Sequence, residues 1–151
     1  MIINEKTFEK ARKKIRDLTK NKETIVFTSN DDDLNRKILE KEKINILLIN
    51  QEGRKDFQKQ RNSGFNQVLA KIAKKNKIDI GINLDEIIDS TSDEKQKIIA
   101  RIRQNVKLCN KHKLKMKFIT QEDKNKRNIH DLRALSLTLG MPTVMTKDLN
   151  N

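Results

Sequence analysis

From Lys95 to Lys117 the chain carries nine basic residues and no acidic one: Lys95, Lys97, Arg101, Arg103, Lys107, Lys111, Lys113, Lys115 and Lys117. Fixed positive charge at this density suits contact with phosphates, because neutralising them releases condensed counterions and favours association with a polyanion. On a wheel of about 100° per residue, Arg103, Lys107 and Lys111 follow one another at four-residue steps, opposite an arc that holds Ile98, Ile99, Ile102, Val106 and Cys109. Such a stripe tracks a backbone and carries no code for base edges, so it predicts salt-sensitive affinity with little sequence discrimination. The same residues fit a solvated face of a Lys- and Asn-rich chain, and composition leaves both readings open. Asn105 falls inside the apolar arc and Arg101 borders it. Polar groups there need partners, either as a satisfied core amide holding a strand-end loop or through direct contact with nucleic acid.

A second concentration of functional side chains is Gly53-Arg54-Lys55-Asp56. Arg54 is read either as a phosphate contact or as a structural pair with Asp56 or Asp85. Asp56 is read as an orienting partner, since a divalent cation wants several convergent carboxylates and this segment offers one. The remaining candidates point away from catalysis. His112 and His130 have no ligand partner at metal-binding spacing. Asp31, Asp32 and Asp33 are consecutive, so their side chains diverge on a helix, and stabilisation of its first turn accounts for them better than a metal site. Cys109 stands alone, which excludes an internal disulfide and a Cys-rich metal cluster, and it is read as a small buried hydrophobe. Phe8, Phe27, Phe65 and Phe118 lie at apolar-periodic or strand positions and are assigned to the core, so no base-stacking platform is expected from them.

The elements that must position these residues follow from the pattern along 151 residues, a length that fits a single domain over 1–151. The net charge is +13, 34% of residues are hydrophobic and 36% charged, with no Trp or Tyr, so the core must be aliphatic and modest. No apolar run approaches the roughly 20 residues of a membrane span, no signal-peptide stretch opens the chain, and a cytoplasmic location with no membrane partner is expected. Residues 6–20 form an amphipathic helix through Phe8, Ala11, Ile15 and Leu18. Strands are predicted at 24–28, 44–49, 78–82 and 116–119. Helices are predicted after Asp31–Asp33, from Gly64-Phe65 to about Asn76 with Val68 on the buried face, over 92–112, and from Asn128 to Gly140 with Asp131 in a capping relation to Asn128. Residues 143–151 are expected to fray. The order is one helix followed by four strand–helix units, an α/β fold with parallel strands and right-handed crossovers. Ligand contacts in such units gather at the carboxyl ends of strands, which places 28–33, 50–63, 83–92 and 120–127 on one rim and sets Arg54, Lys55, Arg61, Lys124, Lys126 and Arg127 along it.

Gly53-Arg54-Lys55-Asp56, followed after a spacer by Gly64-Phe65-Asn66-Gln67-Val68-Leu69-Ala70-Lys71-Ile72-Ala73, resembles the archaeal component 3 family of ribonuclease P, whose eukaryotic counterpart is the thirty-kilodalton subunit. Asn35-Arg36, Arg101-x-Arg103-x-Asn105-x-Lys107-Leu108 and Asp131-Leu132-Arg133-Ala134 extend the resemblance over about residues 24–141. It implies a protein subunit of the ribonucleoprotein that removes the 5′ leader from precursor tRNA. In that particle the RNA supplies catalysis with magnesium, and the protein binds no cofactor of its own and has no activity alone. The implied partners are the ribonuclease P RNA, the precursor tRNA and a small ferredoxin-like protein subunit. The implied RNA-binding residues are Arg54, Lys55, Arg101, Arg103, Lys107, Lys111 and Arg127, with Asn35, Arg36, Asp56, Asn66, Asn105 and Asp131 as structural or partner-orienting residues. The family resembles a TIM-type barrel; with four visible strands an incomplete or open barrel is expected here. Residues Phe57–Asn62 stand as an insertion, and Thr120-Gln121-Glu122 and Ile129 depart from the family pattern. The competing functions are a general basic RNA-binding module and a metal-dependent phosphoesterase.

Overall fold

Five short strands run parallel in the order in which they occur in the chain. The computed structural model describes residues 1–150. Strands β1 (Ile2–Asn4), β2 (Val26–Thr28), β3 (Ile46–Ile49), β4 (Asp79–Asn83) and β5 (Met116–Ile119) form one sheet, each pairing only with its sequence neighbours. The crossovers are α1 (Phe8–Lys20), α2 (Asp32–Lys41), α3 (Gln67–Asn76) and the pair α4 (Leu84–Asp89) and α5 (Ser92–His112). Right-handed crossovers that always step the same way lay every helix on one face of the sheet. The core records this. Ile3, Phe27, Leu47, Ile80, Ile82 and Met116 point from the strands into one large cluster with Ile15, Ile38, Ile98 and Ile102 of the helices. The alternate residues Val26, Ile46 and Leu48 form a second, small cluster on the other face, flanked by Ile2 and Ile119. On that inner face Gly81 leaves little room: a Cβ there would lie 3.1 Å from Leu48 Cα and from Ile46 Cγ2. Nearby, Lys117 and Asp79 pair at 3.5 Å. The sheet is open, as the sequence pattern leads one to expect, with β1 and β5 as its edges.

Five strands stand where four were expected. The missed strand, β1, is three residues long and precedes the helix that looked like the start of the fold; its Ile3 is buried and pairs in register with Phe27. Residues 84–89, expected within a rim loop, form α4, capped by the Asn83 side chain on Asp85 N–H. Helix α3 begins at Gln67 rather than at Gly64-Phe65, with Asn66 Oδ1 accepting from Leu69 N–H at 3.0 Å. Val68, placed by periodicity on the buried face, is 54% exposed, because the helix starts late and Phe65 enters the core from before its first turn. Asp31 caps α2 through Asp33 and Leu34 N–H, and Asn128 caps α6 (Ile129–Thr138) in reciprocal bonds with Asp131. Where fraying is expected, Thr143–Thr146 forms α7, with Met145 and Thr146 buried, and Lys147–Asn150 continues as a 3-10 turn; residue 151 lies outside the described residues.

Cys109 lies on the buried face of α5 with no exposed surface, and burial pushes its thiol up to about 12. The thiolate is the reactive form. At pH 8, modification by a disulfide reagent should therefore be slow in the native protein and complete within the mixing time in urea, as followed by absorbance of the released thiol.

Candidate nucleic-acid interface

The segment between β3 and α3 carries no regular element until Asn66, so side chains must satisfy its backbone. Arg101, from the middle of α5, is the largest fully buried side chain among the described residues, at 1% exposure. Its guanidinium donates to Gln51 O at 3.0 Å, to Arg54 O at 2.7 Å and to Asp56 Oδ1 at 2.9 Å. A planar fork of donors is what this task requires, since it holds two carbonyls and a carboxylate at fixed angles. Gln51 is buried in turn and donates to Ile49 O and Ser63 O, while Gln104 and Asn105 of α5 reach Ser63. Asp56 also accepts from Asn62 N–H at 2.9 Å and faces Arg61. The hydrogen bond from Arg101 above all, then that from Asn62 N–H, holds the Asp56 carboxyl below its ordinary value near 3.8, against an upward push from burial.

A second arginine closes the segment from the other side. Arg54 donates to Asn50 O at 2.6 Å and grips Asp32, in the first turn of α2, through two bonds of 2.8 Å. The guanidinium lies on Gly64, where a Cβ would come within 2.4 Å of Arg54 Nη2 and where φ is +68°. Glycine is thus required twice at that position, for space and for backbone conformation. Sequence reasoning offered Asp56 or Asp85 as the partner of Arg54. The partner is Asp32, 22 residues away and brought close because α2 and the segment leave adjacent strands on the same side. The Asp31–Asp33 triplet accordingly divides its work: Asp31 caps and Asp32 binds Arg54, while Asp33 occupies the first turn of α2.

At the carboxyl ends of the strands a ladder of amides runs across the sheet: Asn83 Nδ2 donates to Asn50 Oδ1 at 3.1 Å, and Asn50 Nδ2 to Asn30 Oδ1 at 3.3 Å. Asp85 accepts from the Thr120 hydroxyl, from Gln121 N–H at 2.8 Å and from Asn125 Nδ2 at 3.0 Å. Burial alone would raise its carboxyl, but these donors together outweigh burial and lower it. Glu86 accepts from Gln51 N–H, and there burial prevails and raises the carboxyl. The turn 120–125 is thus moored to α4. A cleft of about 480 Å³ on this rim is lined by Glu52, Asp85, Glu86, Asp89 and Glu122 among amides.

That rim was expected to carry free basic side chains, and most of them are paired with carboxylates. Arg54 turns inward to Asp32, Arg61 faces Asp56, Lys124 pairs with Asp89 at 3.5 Å, Lys126 pairs with Asp123 at 2.6 Å, and Arg127 donates to the carbonyls of Lys124 and Lys126. Of the rim cations, Lys55 and Arg127 are exposed with no ion pair among the described residues. The expectation that Arg101 contacts RNA is corrected for the same kind of reason: its charge is spent on the protein's own carbonyls and on Asp56. Asn105 is 4% exposed and is a core amide; Asn35 is likewise buried and donates to Ser29 O at 2.9 Å, holding the turn from β2 into α2.

Free positive charge sits on α5. Arg103, Lys107 and Lys111 are exposed and make no ion pair among the described residues. Lys107 and Lys111 line a groove of about 680 Å³ between α5, the start of α3 and residues 57–66, with Arg36 and Arg61 on its other walls. Arg36 is paired along α2 with Glu40 at 2.8 Å. The groove also holds Phe57, which sequence reasoning did not single out; it sits in a polar, non-periodic stretch and gives no signal there.

No family model matches the chain. Ribonuclease P protein component 3 of Methanocaldococcus jannaschii is 30% identical over 117 residues, 76% of this chain and 47% of the relative. The protein of that name in Methanococcus maripaludis is 29% identical over 110 residues, 72% of this chain and 43% of the relative. The chain spans about half the length of the curated relatives it matches. Among solved structures, a chain of the cryo-EM structure of archaeal ribonuclease P with mature tRNA superposes with a TM-score of 0.81 at 24% identity, over 97% of this chain and 62% of that one. The fold is shared, and the resemblance carried by the Gly53–Ala73 and Arg101–Leu108 blocks is borne out.

Removing the fork while leaving its acceptors buried should be costly. Arg101→Met is expected to destabilise by about 3–5 kcal/mol in urea unfolding, and Arg101→Lys, lacking the planar geometry, should recover little of it. The acid limb has a defined sign. A carboxyl lowered on folding stabilises above its unfolded value near 3.8 and ceases to do so as pH falls through its folded value. Glu86, raised on folding, works oppositely, favouring the fold below its ordinary value near 4.5 and losing that contribution as pH climbs through its folded value. Asp56→Asn should therefore flatten the loss of stability below about pH 4, measured by urea midpoints from about pH 2.5 to 6.

Proposed function

We propose that this chain, which shares its fold and about 30% of its aligned residues with ribonuclease P protein component 3, serves as a protein subunit of ribonuclease P in 5′ maturation of tRNA. The observation that carries the reading is the similarity to relatives of that name across 72–76% of the chain. In this reading the RNA subunit performs the hydrolysis with magnesium. The protein contributes fixed positive charge, which lowers the electrostatic cost of bringing RNA strands together and replaces part of the divalent-ion requirement. The free row Arg103, Lys107 and Lys111 supports a phosphate-facing role for α5. Asn35, Asp56, Asn66, Asn105, Arg101 and Asp131 fit the second role, holding the surface in shape. The partners of the assembly would be the ribonuclease P RNA, precursor tRNA and a small ferredoxin-like protein subunit.

Reconstitution tests this directly. Added to the cognate RNA subunit with and without the small protein subunit, the chain should lower the magnesium needed for cleavage of precursor tRNA, and should cleave nothing by itself. Metal-dependent cleavage by the protein alone would overturn the accessory role in favour of a phosphoesterase. Binding to any RNA with no effect on precursor cleavage would reduce the chain to a general RNA-binding module. Changing Arg103, Lys107 and Lys111 together to Glu should leave helix content unchanged by circular dichroism. It should also weaken RNA binding at low salt and cut the slope of log K against log salt by roughly 2–3, about 0.7–0.9 for each phosphate no longer neutralised.

A further inference from the structure

The groove beside α5 has a feature that a phosphate-facing surface does not need. Phe57 is 58% exposed, whereas Phe27 and Phe65 are buried and Phe8 and Phe118 pack against the core. The chain has five Phe and no Trp or Tyr, and the one large ring left in water shares its groove with Arg36, Arg61, Lys107 and Lys111 as well as Asp32, which is bonded to Arg54, and Asp33. Val68, 54% exposed, lines the same groove, as do Arg61, Lys107 and Lys111. The ring is also held at both ends. Asp56, the residue before it, is bonded to Arg101 at 2.9 Å, and Asn62 N–H returns to the same carboxylate at 2.9 Å, so residues 57–61 form a short bridge with fixed feet. An aromatic face presented on an anchored bridge loses less entropy on binding than one on a free loop.

We propose that this groove takes an unpaired stretch of RNA, with Phe57 stacking on a base and Lys107 and Lys111 neutralising the adjoining phosphates. The proposal rests on the reading of α5 as an RNA-facing helix and adds to it the kind of strand that is bound. Base stacking on aromatic side chains is tolerant of sequence and suits single strands, whose bases expose a π-face. In an A-form duplex the bases are stacked on one another and the major groove is too deep and narrow for side chains to read, so a lone ring gains little there. Lys107 and Lys111 are one helical turn apart, about 6 Å along the axis, which lets them follow successive phosphates of an extended strand. An apolar protein segment would use Phe57 and Val68 but would leave Lys107 and Lys111 on the α5 wall without counter-charge, so charge complementarity on that wall favours the polyanion.

The test uses the full chain with a fluorescein-labelled ten-nucleotide oligouridylate and an RNA duplex of matched length, followed by anisotropy across salt concentrations. Phe57→Ala should weaken oligouridylate binding about 5- to 100-fold, leave duplex binding within about twofold, and leave the salt slope unchanged because no charge is removed. Phe57→Trp should retain affinity, and its indole, the sole Trp in the chain, should be quenched on stacking. If Phe57→Ala binds oligouridylate as tightly as the parent while the triple Glu variant at 103, 107 and 111 does not, stacking is refuted and the phosphate-facing role of α5 survives. If the parent binds neither RNA, the underlying reading fails as well. Tighter binding of an alternating Asp-Leu peptide than of oligouridylate would assign the groove to a protein segment and overturn the proposal.

Discussion

A guanidinium sealed inside a protein dictates its surroundings, because every donor it carries must be met or the desolvation cost falls on the fold. Arg101 has this position. It reaches from α5 beneath the segment that follows β3 and fixes the carbonyls of Gln51 and Arg54 together with the Asp56 carboxylate. The neighbouring geometry is largely derivative. With Arg54 O pinned, the Arg54 side chain leaves on the far side and meets Asp32; with Asp56 pinned, Asn62 N–H folds back onto it and Ser63 comes under Gln51, Gln104 and Asn105. An irregular stretch of backbone thus acquires one conformation without strand or helix. It also exposes Phe57 on one side of α5, beside the helix's free lysines.

The sheet explains why most cations at the strand ends are paired while those on a helix are free. Sequential strand order puts the crossovers on one face and the turns at one end, and the turns are knitted to one another by short side chains: the Asn30–Asn50–Asn83 ladder, and Asp85 with Thr120, Gln121 and Asn125. Arg54 and Lys124 there meet carboxylates from neighbouring turns, and Arg61 and Lys126 meet carboxylates of their own turns. The outer surface of α5 is exposed at Arg103, Lys107 and Lys111, and none of the three is paired with a carboxylate among the described residues.

Much of the architecture is legible in the sequence because it depends on periodicity. Helix α5 and strand β5 lie where the apolar pattern puts them, and the Asn128 cap follows from local chemistry. The failures have a common cause, which is that they were decided across space. Three residues of β1 are too few for a period and are strand only because β2 lies beside them. Arg101 is at the border of the apolar arc on a wheel, and only the length of its side chain and the carbonyls within reach turn it inward. The pairing of Arg54 with Asp32 joins two turns with no sequence relation, as does that of Lys124 with Asp89, and neither partner is visible from spacing along the chain. Phe57 was invisible for the opposite reason, since a pattern search looks for rings that recur and this one stands alone.

The strand order has a further consequence, for how the chain is made. In many α/β sheets the strand at the centre is flanked by one from each direction of the chain, so early segments must wait for late ones. Here β2 needs only β1, β3 only β2, and so on to β5. Pairings between neighbouring strands span one crossover each, which keeps loop-closure entropy modest at every step. A nascent polypeptide leaving the ribosome can therefore add each strand to a surface already laid down, growing vectorially, with one edge advancing while β1 remains the other.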